Sequence, residues 1–306
     1  MKIAVIGSNM VDLISYIDKM PAAGETLEAP DFSIGCGGKG ANQAVAAAKM
    51  GAKVMMVTKV GDDMFADNTI NNFQQYGIDT TFVEKVPQTS SGVAPIFVDP
   101  SSQNRILIIK GANKHLLPDD IDRAAEQLKD CALIILQLEV NLNTVYYAIE
   151  FGNKYGIPVL LNPAPATPEL DIAMACKCDF FVPNETELAI LTGMPVRTEG
   201  EIQRAAMSLI EKGLKNVIVT MGSRGSMWLN KGEMHWLEAY KVDAVDTSGA
   251  GDAFIGCFAD SYVKTADVLE SMKLASAFAA LSVMKKGTQI SYPTKIEIED
   301  FLAKQK

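Results

Sequence analysis

Between residues 116 and 220 short apolar runs alternate with longer amphipathic stretches, and that alternation leaves few folds open to the chain. Helices are predicted at 118–129, 142–155, 185–192 and 199–213, and strands at 132–138, 157–161, 179–182 and 215–220. Strands that are each followed by a helix pair in parallel and are buried on both faces, so they read as unbroken apolar runs such as Leu133-Ile134-Ile135-Leu136. The same grammar holds earlier. Lys2 to Ile6 and Lys53 to Val60 are predicted strands, the second leading through Gly61-Asp62-Asp63 into a helix ending near Tyr76. The expectation is an α/β fold, a mostly parallel central sheet with helices on both faces.

Two segments break the pattern. Residues 16–34 are turn-rich around Pro21, Gly24 and Pro30, and residues 92–98 and 104–109 flank a turn at 99–102, which reads as a hairpin. Together they are expected to form a small sheet standing off the main body. No internal repeat and no low-complexity linker is found, and 306 residues permit one large α/β domain or two smaller ones.

Composition removes several classes of function. The net charge is −9 and no Lys or Arg run stands out, which argues against a nucleic-acid or membrane-surface protein. No apolar run approaches the ~18 residues of a membrane span, and Gly7, Asn9 and Asp12 cut the opening run too short for a signal peptide. The five cysteines form no C-x-x-C pair and are expected as reduced thiols; with only two histidines, Cys176 and Cys178 lack partners for a zinc site. A soluble cytoplasmic protein is expected. The stretch Gly7-Ser8-Asn9-Met10-Val11-Asp12 after the first strand is not G-x-G-x-x-G, so a dinucleotide-binding dehydrogenase is disfavoured.

Candidate site residues gather where open α/β sheets bind ligands, at the carboxyl ends of strands. Glu139, Asn162, Asn184 with Glu187, and Thr220 each follow an apolar run. Any one of them also serves as a cap or turn former, and residues 183–187 look like an ordinary helix start. Asp12 either accepts hydrogen bonds from a polyol or caps a turn. Gly35-Cys36-Gly37-Gly38-Lys39-Gly40 feeds an alanine-rich helix carrying Asn42, but Gly40 stands where a Walker A loop needs Ser or Thr. Near the other end, Asp246-Thr247-Ser248-Gly249-Ala250-Gly251-Asp252 opens a helix, 253–259, that is small and apolar, as expected of a buried one. Glycines there let the backbone approach a ligand, and unpaired N–H groups favour a phosphate. Asp252 competes with a bound anion. It either caps the helix or takes a proton from a hydroxyl that attacks phosphorus. A strand is predicted just before this stretch, over 240–245.

Taken together, Gly37-Gly38-Lys39-Gly40-Ala41-Asn42-Gln43-Ala44 and residues 246–252 resemble the two signatures of the ribokinase-type carbohydrate kinases, and Asn184-x-x-Glu187 resembles that family's magnesium-organising motif. The resemblance runs from Gly7 to Gln289. It implies one domain over 1–306, a Rossmann-like, mostly parallel sheet with a small β-sheet lid, the lid formed by about 12–36 and 90–112 and pairing with a second subunit as a homodimer. It implies Asp252 as the base and the Gly249, Ala250 and Gly251 amides as an anion hole. Met10, Asp12, Gly38, Lys39, Asn42 and Glu139 would face the sugar. Asn184, Thr220, Gly222, Gly225, Gly251 and Ser276 would face ATP. Asn184 and Glu187 would hold Mg²⁺ through water. Asp246, Ser248, Ser282, Lys285, Gly287 and Ser291 lie where the family builds a K⁺ site, mostly from carbonyls.

The chain departs from the usual ribokinase pattern at Met10, where Asn is common. An amide pairs with a pentose hydroxyl; a thioether is a poor partner, and a 2-hydroxyl desolvated against it would lose roughly 1–3 kcal/mol. Met10 otherwise simply fills core space. The overall sequence is most similar to the bacterial members that phosphorylate 2-deoxy-D-ribose on its 5-hydroxyl, so that sugar is the expected substrate. Ribose is the alternative, followed by a nucleoside or a non-catalytic sugar-binding role.

Overall fold

The computed structural model describes residues 1–100 and 104–305; the predicted turn at 99–102 therefore lies partly outside the described residues. The strands in chain order are β1 (Lys2–Ile6), β2 (Met10–Tyr16), β3 (Asp31–Gly37), β4 (Lys53–Val60), β5 (Asp79–Lys85), β6 (Val93–Val98) and β7 (Asn104–Ile106). They continue as β8 (Cys131–Leu136), β9 (Val159–Leu161), β10 (Phe180–Phe181), β11 (Val217–Thr220), β12 (Ser226–Leu229) and β13 (Met234–Leu237).

Nine of them form one sheet in the order β13-β12-β11-β10-β9-β8-β1-β4-β5. Pairing is parallel from β5 across to β11, with Ile6 opposite Val57 of β4 and Leu136 of β8. Among the described residues the antiparallel pairs of this sheet are β11–β12 and β12–β13, at one edge. β1, β8 and β9 are almost wholly buried and Val, Ile and Leu-rich, as strands covered on both faces must be. The sheet is therefore the mostly parallel α/β sheet that the alternation predicts.

Two local expectations need correction, and one strand lacks a sequence signal. Residues 240–245 are irregular rather than a strand, because the N–H groups of Val245 and Asp246 both bond the carbonyl of Val283 instead of a neighbouring strand. The β12–β13 hairpin takes the sheet edge instead. The predicted helix 118–129 breaks at Ala124 into Pro118–Arg123 and Ala125–Leu128. β5, with mixed polarity and no clean alternation, was not legible as a strand.

The packing that matters most for the site is between helices Lys39–Lys49 and Ala250–Thr265. Their facing residues are small: Ala44, Ala46 and Ala47 on one, Ala253, Gly256 and Cys257 on the other, all fully buried or nearly so. A side chain at Gly256 would collide with the Gln43 carbonyl and Ala46. Small residues let the two backbones approach, and the approach brings side chains from both helix starts within hydrogen-bond range.

The second sheet, in the order β3-β2-β6-β7, stands apart. The chain leaves β1 for β2 at Asn9, returns through Gly38, and comes back again from β7 through residues 107–113. Lid strands run from Met10 to Gly37 and from Val93 to Ile106, close to the expected 12–36 and 90–112; β7 is short, and beyond it Ile109 rejoins the lid by a single bridge to Val93. Along β2, Met10, Asp12, Ile14 and Tyr16 point toward the main body, as period-two alternation requires. On the other face Leu13 sits opposite Ile34 and Pro95, and Ser15 opposite Phe32 and Phe97.

Candidate active site

Three cavities lie in file along the carboxyl ends of the central strands. The outer one, about 660 Å³, is lined by Thr220, Gly222, Gly225, Tyr240, Phe254 and Ser276 among others. The central one, about 260 Å³, is lined by Asn184, Glu187, Gly249, Gly251 and Asp252. The third, about 720 Å³, lies beneath the lid and is lined by Met10, Asp12, Gly38, Lys39, Asn42, Glu139 and Asp252. Thr247 borders all three. Asp252 and Lys39 stand where the central and lid-side cavities meet.

Asp252 is buried in the first turn of helix Ala250–Thr265, which starts from Gly249 at a φ of 71°, a left-handed conformation that suits glycine. Its Oδ2 accepts from Asn42 Nδ2 at 3.0 Å and its Oδ1 from Gln43 Nε2 at 2.9 Å. The carboxylate is thus bonded through its side chain from a neighbouring helix rather than capping its own. Of the three expected anion-hole amides, that of Ala250 makes a long 3.3 Å bond to the Thr247 carbonyl. Gly251 borders both the outer and central cavities, and a side chain there would meet no protein atom within 4 Å, so its glycine keeps ligand space open.

The charges across the site are coupled. Burial is the main force raising the Asp12 carboxyl to about 7, helped by the Glu139 and Asp252 carboxylates. Glu139 is itself fastened: its Oε2 accepts from Ser8 Oγ at 2.5 Å and from the Lys39 N–H at 2.9 Å. Burial works against the Lys39 ammonium, yet Asp252, Glu139 and Glu187 together overcome it and raise its pKa. Burial also raises the Glu187 carboxyl, opposed by the Asn184 backbone and by Lys39.

Asn184 and Glu187 form a capping box for helix Glu185–Thr192: the Asn184 N–H donates to Glu187 Oε2, and the Glu187 N–H to Asn184 Oδ1, both at 2.8 Å. The ordinary helix start and the position beside the central cavity are one and the same. Around the expected cation loop, Asp246 Oδ1 accepts from the Ser248 N–H and Oδ2 from the Gly287 N–H, each at 2.9 Å, tying two loops together. Three of the other side chains there are engaged elsewhere. Ser282 Oγ donates to the Ala279 carbonyl, Ser291 Oγ to that of Thr288, and Lys285 pairs with Glu297.

Gln43, Ser8, Gln137 and Thr247 contact this constellation without having been singled out by sequence. Gln43 carries the clearest signal, a polar residue in the middle of an alanine-rich helix. Met10 lies in the wall of the lid-side cavity, 2% exposed, with Asn113 Nδ2 at 3.7 Å from its sulfur.

Residues 1–295 match the family model described as pfkB family carbohydrate kinase. A deoxyribokinase of Salmonella typhi is 67% identical over 303 residues, covering 99% of both chains, and a ribokinase of Haemophilus influenzae is 38% identical over 98% of both. The structure of an Arabidopsis thaliana ribokinase complexed with ribose and ATP superposes with a TM-score of 0.92 at 30% identity, over 98% of both chains. A mostly parallel sheet with a small lid, a carboxylate at a glycine-rich helix start, and whole-length likeness to sugar kinases agree: the chain belongs to the pfkB family of carbohydrate kinases.

Proposed function

We propose that the chain transfers the terminal phosphoryl group of ATP to the 5-hydroxyl of 2-deoxy-D-ribose, with Asp252 as the base. The 67% identical deoxyribokinase supports the reaction. The observation that carries the choice of sugar is Met10, a thioether in the wall of the lid-side cavity.

In this reading the sugar lies beneath the lid, between Asp12, Asn42 and Glu139, and ATP extends from the outer cavity into the central one. Asp252, at the meeting of the central and lid-side cavities, accepts the proton of the attacking hydroxyl. The Gly249 and Gly251 amides, with the Lys39 ammonium, face the charge that spreads over the transferring group. Lid closure would exclude water. The central cavity suits a divalent cation, because Glu187 is a buried carboxylate whose pKa burial has raised. Asn184 and Glu187 would hold Mg²⁺ through water, and the ion would neutralise phosphate charge. A K⁺ ion would sit on carbonyls of the loops that Asp246 ties together. The side chains of Ser282, Lys285 and Ser291 are not its ligands in this reading, since each is otherwise engaged.

The test is kcat/KM for 2-deoxyribose and ribose side by side, with and without Mg²⁺ and K⁺. Deoxyribose is expected to win, and Met10→Asn to narrow the ratio by about ten-fold or more, the equivalent of ~1–3 kcal/mol for one restored hydrogen bond. The substituted amide would offer a hydrogen-bonding group to the 2-hydroxyl where the thioether offers a poor one. A preference for ribose in the unsubstituted chain would return Met10 to a packing role. Indifference to Mg²⁺ or to K⁺ would remove that ion from the scheme.

The outer lid face supports a homodimer. Phe32 and Ile34 are each 54% exposed and share that face with Leu13 and Phe97, an apolar surface of the kind that pairing covers. Sedimentation is expected to give twice the 33.0 kDa chain mass, and Ile34→Lys to shift it to the monomer; a monomeric parent chain would reject the pairing. Among the described residues no helix is long and apolar enough to cross a membrane. Free thiols at all five cysteines and a dependence on ATP fit a cytoplasmic place for the reaction.

A further inference from the structure

Asp252 is gripped by Asn42 on the sugar side and by Gln43 on the side away from it, and the second grip belongs to a run of amides whose direction the backbone sets. The carbonyl of Val182 accepts from Asn162 Nδ2 at 2.8 Å. A carbonyl only accepts, so Asn162 must turn its oxygen the other way. Gln43 meets that oxygen with Nε2 at 3.2 Å. The same NH₂ group then faces Asp252 Oδ1 at 2.9 Å, and the Gln43 oxygen accepts from Gln137 Nε2 at 2.7 Å. A flipped Gln43 would set its oxygen against two other oxygens. Gln43, Gln137, Asn162 and Asp252 are all buried, where an unpaired polar group is costly, so each link holds the next.

The far end of the run shows what is sacrificed. Gln137 Oε1 is buried without a hydrogen-bond partner, in a space kept open by Gly7, where a side chain would collide with it. Leaving such an oxygen unpaired is costly. Its other end, Nε2, is the donor that the Gln43 oxygen takes. Gln43 itself is absent from the walls of all three cavities, so it acts on ligands only through its neighbours.

We propose that Gln43, oriented by Asn162 and the Val182 carbonyl, is the positioning residue that fixes Asp252 as an acceptor aimed at the attacking hydroxyl. The inference rests on Asp252 being the base. The carboxylate is also faced by Lys39 from the start of its helix, by Glu187 from helix Glu185–Thr192, by Asp12 from β2 and by Tyr292 from the loop beyond residue 288. None of these changes when residue 43 is replaced.

The experiment is the pH dependence of kcat, at saturating sugar and ATP, for the parent chain, Gln43→Glu, Gln43→Met and Asp252→Asn. In Gln43→Glu a carboxylate meets Asp252 where a donor stood, and two carboxylates at that distance share a proton. The acid limb of kcat is expected to move up by about one pH unit or more, with most of the rate recovered above it. An unmoved limb, or an equal loss at every pH, overturns the proposal. Gln43→Met removes the donor without adding charge and decides the matter should the glutamate variant fail to fold. In it kcat is expected to fall about ten-fold, the loss of an orienting hydrogen bond, while the calorimetric Kd for the sugar stays within about two-fold. Parallel changes in both quantities, or none in either, reject the relay. Near-normal turnover in Asp252→Asn would instead remove the base on which it depends. An inactive Asp252→Asn beside an unshifted Gln43→Glu would sink the relay alone.

Discussion

Asp252→Asn is expected to lower kcat by about a thousand-fold or more while leaving the sugar Kd within a few-fold, as removal of a general base does. The amide has the shape of the carboxylate but cannot take the hydroxyl proton. It also meets the wrong partners. Both Asp252 oxygens now accept, one from Asn42 and one from Gln43. An asparagine offers one acceptor and one NH₂ group, so one donor must face another, at a cost of about 1–3 kcal/mol in stability. The melting temperature should therefore drop by a few degrees while the fold survives. Sugar binding by calorimetry and turnover by ADP release separate the two effects. A variant that keeps a tenth of the parent kcat would return Asp252 to a structural role.

Lys39→Met should be nearly as severe, for a different reason. The ammonium lies among Asp252, Glu139 and Glu187, whose field raises its pKa in spite of burial. Replacing it with a thioether leaves those carboxylates without their common counter-charge. Because Lys39 borders both the central and lid-side cavities, the same change removes a positive charge from the path of the phosphoryl group. A fall in kcat/KM on the order of a hundred-fold is expected, comparable to loss of one preorganised electrostatic group. Its backbone N–H should continue to hold Glu139, so the sugar subsite should persist. If only the sugar KM rises and kcat is unchanged, Lys39 is a sugar ligand and not a phosphoryl one.

Helix Leu142–Tyr155 and strand β4 fall on the ranges expected for them, because each pairs a strong pattern with a clear boundary: Gly156 in a left-handed turn for the helix, Gly61 for the strand. The stretch 240–245 misled because apolar alternation speaks only of side chains. At its end Val245 and Asp246 bond Val283, 38 and 37 residues away, a partner that no local pattern names. Asn184 and Glu187 show a milder ambiguity. Their spacing encodes a capping box whether or not a cation binds beside it, and both readings describe the same atoms.

By itself the sequence determined the layered α/β class, the off-pattern segments that become the lid, and the two glycine-rich helix starts, because these follow from local periodicity and backbone freedom. Tertiary structure alone decided what stands against Asp252. Gln43 is 209 residues distant and reaches it only because Ala44, Ala47, Ala253 and Gly256 let two helices close on each other. Hydrogen bonds act over about 3 Å, and only the folded packing brings groups so far apart in sequence within that reach.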